Sequence, residues 1–306
     1  MVECRKSIIV FGASGFIASH LLEKISHFDV TCVVRSKNTL VNDHVEVVDY
    51  DDLAQIQDVK KFDFALDFAS NVSVENIVAD PLSFFFGNLE IPLFHLKFLK
   101  FCNFKGHYVL LSTDRALVPN SDADFANDID LNNDPYGASK YLSELICNYG
   151  LRLLGAHCTV IRLPNIYGIG QTSKQLLPTI INRISNGETE VFLNSFSGNR
   201  NYLHVEDAVD AIRMFLEKPI LERSINVSGE NVEILYLINK IKDYYEELTY
   251  QKLTFTEGNS VNPRSSYLTP PATLDDSKFR NNYDWQPRIH IDEGIKQMVE
   301  FGVKNG

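Results

Sequence analysis

The run Ile8-Ile9-Val10-Phe11-Gly12-Ala13-Ser14-Gly15-Phe16-Ile17-Ala18 narrows what this chain can fold into more than any other stretch. A short apolar run meets a glycine turn, and Leu21, Leu22 and Ile25 then recur at helical spacing. Strand, glycine turn and helix in that order open a βαβ unit of the kind that binds a dinucleotide. Gly12 permits the tight turn, Gly15 lets backbone approach a pyrophosphate, and Ala18 is small enough for helix–strand packing. The helix start, from Ser14 through Phe16 and Ile17, offers free N–H groups to the phosphates. A plain glycine turn is the bland alternative. The position at the start of a βαβ pattern favours the dinucleotide.

The rest of the chain is consistent with a large α/β protein. Its 306 residues are 44% hydrophobic and 23% charged, enough for one large domain or a domain with an attached lobe. A net charge of -11 argues against nucleic acid or an anionic membrane as partner, while leaving room for a local basic pocket. The five cysteines (Cys4, Cys32, Cys102, Cys147, Cys158) are scattered, without a CxxC, so neither a disulfide framework nor a metal site is expected. Strand-like Ser7 to Val10 follows the N-terminus with no signal peptide, and no apolar run reaches about 18 residues. We expect a cytoplasmic protein.

Val30 to Val34 forms a second strand ending in Arg35-Ser36-Lys37, where an acidic residue would hold a ribose 2′-hydroxyl and an Arg accommodates a 2′-phosphate. NADP(H) is therefore expected, with NAD(H) as the alternative. Asp80-Pro81 opens a long apolar helix containing Asn88. Pro92, four residues on, has no N–H for the Asn88 carbonyl, which is left free for water or a substrate hydroxyl. The strand His107 to Leu111 ends in Ser112-Thr113-Asp114-Arg115. Ligands of parallel sheets lie at such carboxyl ends, so Thr113 is the candidate hydroxyl and Ser112 the inward one. Val118 to Asn133 reads as an acidic surface loop. Asp134-Pro135 then caps a helix that places Tyr136 and Lys140 one turn apart on one face. A phenol needs help to exchange a proton near neutrality, and a neighbouring ammonium supplies it. An incidental Tyr and Lys on a surface helix is the alternative for that spacing.

The pattern G-x-x-G-x-x-A with a later YxxxK resembles the extended short-chain dehydrogenase/reductases, and specifically their nucleotide-sugar epimerases, dehydratases and reductases. Arg162-Leu163-Pro164-Asn165-Ile166-Tyr167-Gly168-Ile169-Gly170 resembles their R-x-x-N-x-Y-G-x-G stretch. Gly198-Asn199-Arg200-Asn201 through Asp207, and Asp275-x-Ser277-Lys278 followed by Trp285-x-Pro287, resemble their later motifs. The resemblance implies a Rossmann-type doubly wound parallel sheet with a smaller C-terminal α/β lobe. Residues 1–164 with about 200–227 would bind the dinucleotide, and 165–199 with 228–306 the nucleotide-sugar.

It further implies an adenine contact at Asp49 beside Tyr50, a small-residue turn over the cofactor at Ala69-Ser70, and a cofactor contact near Leu163. Substrate contacts follow at Asn88, Thr113, Asn165, Arg200 and Arg264. Tyr136 would exchange the proton, with Lys140 lowering its pKa and holding the nicotinamide ribose. His204 is expected to be packed, and Asp207 to cap the following helix. Related proteins dimerise through the Asn88-type and Tyr-type helices as a four-helix bundle, so a homodimer is expected.

Dehydratases of this type carry Thr-Asp-Glu, with the two carboxyls as acid and base. Here Asp114 is kept and Arg115 replaces the Glu; a guanidinium cannot act as that base. Another dehydratase subgroup has Thr-Asp-Lys with Met in place of the Tyr, which Tyr136 does not match. A 4-keto reductase using NADPH is therefore expected first, then an epimerase or 4,6-dehydratase recycling bound NAD(P). A non-catalytic NADP-binding scaffold on the same fold is the reading from a different class.

Overall fold

The structure, a computed structural model, describes residues 5–36, 45–53, 61–72, 79–116, 134–172, 175–258 and 274–305. Cys4, Lys37, the acidic loop and Arg264 lie outside the described residues.

Seven strands form one parallel sheet: β1 (Ser7–Phe11), β2 (Asp29–Val34), β3 (Glu46–Asp49), β4 (Phe64–Asp67), β5 (His107–Thr113), β6 (His157–Leu163) and β10 (Ser224–Asn226). Their spatial order is β10-β6-β5-β4-β1-β2-β3. The chain starts in the middle at β1, winds outward to β3, then crosses back to β4 and winds the other way. The crevice at the β1/β4 reversal is the place where such sheets bind ligands, beyond the strand carboxyl ends. The strands are continuous apolar runs because both faces are covered. Ile8 and Val10 face one core with Leu21, Leu22, Ile212 and Phe215. Ile9 and Phe11 face the other with Phe98, Leu99, Cys147 and Leu151.

The first core is covered by α1 (Phe16–Lys24) and α6 (Val205–Glu217), the second by α3 (Pro81–Phe101) and α4 (Pro135–Leu154), while α2 (Tyr50–Leu53) is a single turn after β3. Sequence sets both ends of the long pair. Asp80 accepts from Ser83 N at 3.0 Å and Pro81 takes the first helical position of α3. Asp134 accepts from Gly137 N at 2.9 Å, Pro135 follows it, and Gly155 at φ +71° ends α4. The expected Rossmann-type fold is thus present.

The smaller lobe has its own core. The sheet β11-β9-β7 combines β7 (Asn165–Tyr167), β9 (Asn199–His204) and β11 (Glu230–Glu233). The pair β8 (Glu190–Leu193) and β12 (Thr254–Glu257) is parallel. Helices α5 (Leu176–Ser185), α7 (Ile234–Thr249) and α9 (Ile291–Asn305) bring Ile180, Leu237, Ile241, Ile295 and Met298 together. The short α8 (Ser277–Tyr283) returns Phe279 to the sheet's first core.

Asp207 does not cap α6. That place belongs to His204, whose Nδ1 accepts from Glu206 N at 3.3 Å. Asp207 instead accepts the amides of Arg288 and Ile289 at 3.1 and 3.0 Å, fastening the segment after Trp285-Gln286-Pro287. No described helix is long and apolar enough to cross a membrane.

Candidate active site

The glycine turn has the form a dinucleotide needs. Gly12 sits at φ +73°, and a Cβ there would lie 2.8 Å from Ala69 N, so only glycine fits. Gly15 N bonds to Gly12 O at 3.0 Å and begins α1, whose first turn no side chain caps. Ser14 is exposed and Phe16 and Ile17 are half-buried beside it, leaving the amides of that turn for an anion. Ala69, just past the neighbouring strand β4, lies against Gly12. Arg35 and Ser36 are exposed just past β2. Asp49 is half-buried, with Oδ1 on Asp51 N at 3.1 Å. These residues fit NAD(P).

Two expected cofactor contacts are placed differently. The Tyr50 hydroxyl turns inward beneath the glycine turn, 2.8 Å from His95 Nε2. Burial, then the charge of Asp67, push this phenol up, and Arg35 opposes them. Leu163 is 3% exposed in the apolar core, paired in register with Thr113; its side chain is packing.

At the end of β5 the side chains alternate as expected. Ser112 points under α4 and donates to Glu144 Oε1 at 2.6 Å, and Glu144 is held by Arg162 through contacts of 3.0 and 2.5 Å. Thr113 points the other way and donates to Asp114 Oδ1 at 2.9 Å. Asp114 is 3% exposed, and its Oδ2 has no hydrogen-bond partner among the described residues. Burial raises its pKa to about 6, opposed by the Thr113 bond and by the charges of Arg115 and Arg200. Arg115 binds Asp134 Oδ2 at 2.6 Å while Oδ1 caps α4, so this ion pair fixes the start of the Tyr helix. Gly137 is required there, because a Cβ would lie 2.5 Å from Arg115 O.

Tyr136 is half-buried at the first turn of α4, and the nearby Ser70 hydroxyl donates to Asn88 Oδ1 at 3.4 Å. Burial pushes the phenol up to about 12, and the first opposing influence is Arg115. Lys140, expected to lower the Tyr136 pKa and hold the nicotinamide ribose, lies one turn further along α4. Lys140 is 4% exposed and donates to Leu111 O at 2.8 Å, beneath the site. Its own pKa is lowered by burial.

Asn88, expected at the substrate, is 3% exposed. Its side chain accepts from Asn71 N at 2.8 Å and donates to Asn71 O at 3.0 Å and Ser139 Oγ at 3.2 Å. The carbonyl that Pro92 frees lies 3.4 Å from the Ser143 hydroxyl, which donates to it. Asn88 thus braces the Ala69–Asn71 turn against the Tyr helix. On the lobe side, Asn165 is half-buried and donates to Asn201 O at 3.0 Å. Arg200 is half-buried, donates to Asn199 O at 2.9 Å, and has its pKa lowered by burial first and by Arg115 among its neighbours. Arg115, Asp114 and Arg200 therefore form one electrostatic group, of which Arg115 and Asp114 act on Tyr136. The sequence singled out Arg115 only as a missing base; the signal for its pairing was the acidic cap that opens the Tyr helix.

A profile of the NAD dependent epimerase/dehydratase family matches residues 8–228. The chain belongs to this family, whose members are extended short-chain dehydrogenase/reductase enzymes using NAD(P). A trifunctional UDP-glucose 4,6-dehydratase/UDP-4-keto-6-deoxy-D-glucose 3,5-epimerase/UDP-4-keto-L-rhamnose-reductase of Arabidopsis thaliana is 24% identical over 324 residues, covering 98% of this chain. The chain spans about half, 48%, of that relative's length. The dTDP-4-dehydro-6-deoxyglucose reductase of Escherichia coli is 21% identical over 322 residues, covering 98% of both chains. Among solved structures, the UDP-glucose 4-epimerase of Thermotoga maritima with UDP-glucose superposes with a TM-score of 0.77 at 23% identity, covering 97% of this chain and 99% of the other.

Proposed function

We propose that this protein is an NADP(H)-dependent reductase of a 4-keto (6-deoxy) sugar nucleotide, with Tyr136 as proton donor. The observation that carries the proposal is the state of the Tyr136 phenol. Burial pushes it up to about 12, in the form that gives a proton away, and the leading charge that opposes this is Arg115, which stands where a dehydratase of the Thr-Asp-Glu type has its base. A carbonyl reduction needs a proton delivered to the ketone oxygen, and a protonated phenol does that.

Bound NADPH would supply the hydride to the carbonyl carbon. Thr113 and Ser70 would orient the oxygen towards the phenol. Tyr136 would release its proton to that oxygen as the alcohol forms and recover one from solvent. Arg115 stabilises the phenolate left behind. Arg200, with Asn165 beside it and Arg264 from outside the described residues, would hold the nucleotide diphosphate by charge-assisted bonds. Arg35 would hold the 2′-phosphate.

The test is NADPH consumption with 4-keto-6-deoxy sugar nucleotides carrying UDP, dTDP, GDP or CDP. The expected result is turnover with one of them, falling about 10²–10⁴-fold in Tyr136→Phe with NADPH affinity retained. No loss of NADPH with any of the four refutes the reductase.

We also infer a homodimer through α3 and α4. Leu82, Phe86, Leu93, Phe94 and Phe101 on one, with Leu145, Tyr149 and Leu153 on the other, form an exposed apolar face. A face of this kind is an expected interface. Sedimentation should give a dimer that Phe86→Asp/Leu145→Asp converts to monomer; a monomeric wild type rejects the interface.

A further inference from the structure

Two buried carboxylates lie behind the site, and the reaction above assigns no part to either. Asp67, the last residue of β4, is taken up where it stands: its Oδ2 lies 2.7 Å from His95 Nδ1, and its Oδ1 accepts from Ala69 N at 2.9 Å under the glycine turn. Glu144 of α4 is different, because it joins three elements. It is 3% exposed. Its Oε1 accepts from the Ser112 hydroxyl of β5 at 2.6 Å and from Arg162 Nε of β6 at 3.0 Å, and its Oε2 meets Arg162 Nη2 at 2.5 Å. Ser112 and Arg162 are register partners across β5 and β6, so both side chains leave the sheet on the face that α4 covers. Arg162 opens the R-x-x-N-x-Y-G-x-G stretch, and this contact commits its guanidinium to a carboxylate under α4.

A buried ion pair is often no more stabilising than apolar side chains of like volume. What this one enforces is an alignment. Tyr136, Lys140 and Glu144 are four residues apart along one side of α4. Lys140 Nζ donates to Leu111 O at 2.8 Å, and the next residue of β5, Ser112, donates to Glu144. Two rungs one helical turn apart thus bind α4 to consecutive residues of one strand, and the residue after them is Thr113. The apolar residues that α4 gives to this core, Cys147 and Leu151, lie further along the helix, away from Tyr136. The alignment of its first turns therefore falls to these rungs and to the Arg115–Asp134 pair at its start.

We propose that Glu144 is a positioning residue of the site: braced by Arg162, it holds Ser112 and with it the strand end that places the Lys140 ammonium and the Thr113 hydroxyl. The inference deepens the proposed function and rests on it for the parts those two groups play. Its first test is read on the lysine without substrate or cofactor, so it can fail while the NADPH assay succeeds, or the reverse.

The measurement is the rate at which acetic anhydride labels Lys140 in the full chain, followed by mass spectrometry of its peptide. Ser112→Ala removes one rung and leaves the Glu144–Arg162 pair intact. Labelling should quicken about tenfold or more, the factor set by one buried hydrogen bond to a charged group. Ile212→Val, in the core on the opposite face of the sheet, is the control. It should lower stability by a similar amount and leave the rate within about twofold of wild type. Equal acceleration in both variants would make the labelling a measure of general loosening and overturns the proposal, as does an unchanged rate in Ser112→Ala. In the NADPH assay, kcat of Ser112→Ala should fall by about 10–10²-fold, as a displaced reacting group does; a wild-type kcat overturns the proposal too. Should no substrate be reduced, the reductase reading fails and the labelling still decides this one. If Ser112→Ala does not fold, Ser112→Cys, close in volume and a weaker donor, is read in the same way. If neither folds, the bond serves folding and the proposal fails.

Discussion

Asp114→Asn should make the protein more stable at alkaline pH while impairing its chemistry. Asp114 is enclosed between Thr113 and the two guanidiniums, yet one of its oxygens has no hydrogen-bond partner among the described residues. Folding raises its pKa from the ordinary 3.8 to about 6, so the native state favours the neutral carboxyl. The stability this brings is fully present below the unfolded value and is lost as pH rises through the folded one. A shift of about two units amounts to ~3 kcal/mol lost by pH 8, shrinking to about 0.5 kcal/mol near pH 4. Asparagine is the neutral isostere and can keep the Thr113 bond, so it should recover most of that loss. With ~2.1 cal/mol/K of unfolding entropy per residue, ~3 kcal/mol is a rise in melting temperature of about 5 °C for a chain of this length. Urea and thermal unfolding of both proteins at pH 8 and pH 4.5 provide the comparison. No gain at pH 8 would refute the buried-charge account. An equal gain at both pH values would assign the effect to packing instead. Turnover should fall in the variant, because Thr113, which orients the ketone oxygen, is held by Asp114, and an amide oxygen accepts that bond less strongly than a carboxylate.

Asn88→Ala removes the bonds that Asn88 makes to the Asn71 backbone and to Ser139, and should cost about 2–3 kcal/mol in urea unfolding. It should also weaken NADPH binding through the loosened Ala69–Asn71 turn; unchanged affinity would confine Asn88 to stability. Arg35→Ala should weaken NADPH but not NADH in calorimetric titrations, by roughly 1.5–3 kcal/mol if the guanidinium bonds the 2′-phosphate. Tighter binding of NADH than NADPH by the wild type would reject the NADP assignment itself.

The fold was legible because its signals are local. The apolar runs, the turn at Gly12 and Gly15, the Asp-Pro helix starts at Asp80 and Asp134 and the end at Gly155 each act over one helical turn or less. Strand alternation also sorted Ser112 from Thr113 correctly. The site was legible as a list of positions but less so as a set of partners. Spacing four residues apart places the Tyr136 and Lys140 Cβ atoms on one face, about 5–6 Å apart. It does not fix where a four-carbon side chain ends. Here the ammonium donates to the Leu111 carbonyl, while Arg115, distant along the chain, is the leading charge that lowers the phenol's pKa. Asn88 shows the same limit: its carbonyl and its amide meet Ser143, Asn71 and Ser139, which become neighbours only when α3 packs on α4. The clue left unused was an ionisable residue inside an apolar run. Asp67 closes Phe64-Ala65-Leu66, and His95 stands between Phe94 and Leu96. An apolar interior admits such groups only when they are paired. Two of them in separate buried elements therefore predict each other, and their meeting place lies under the turn that holds the cofactor.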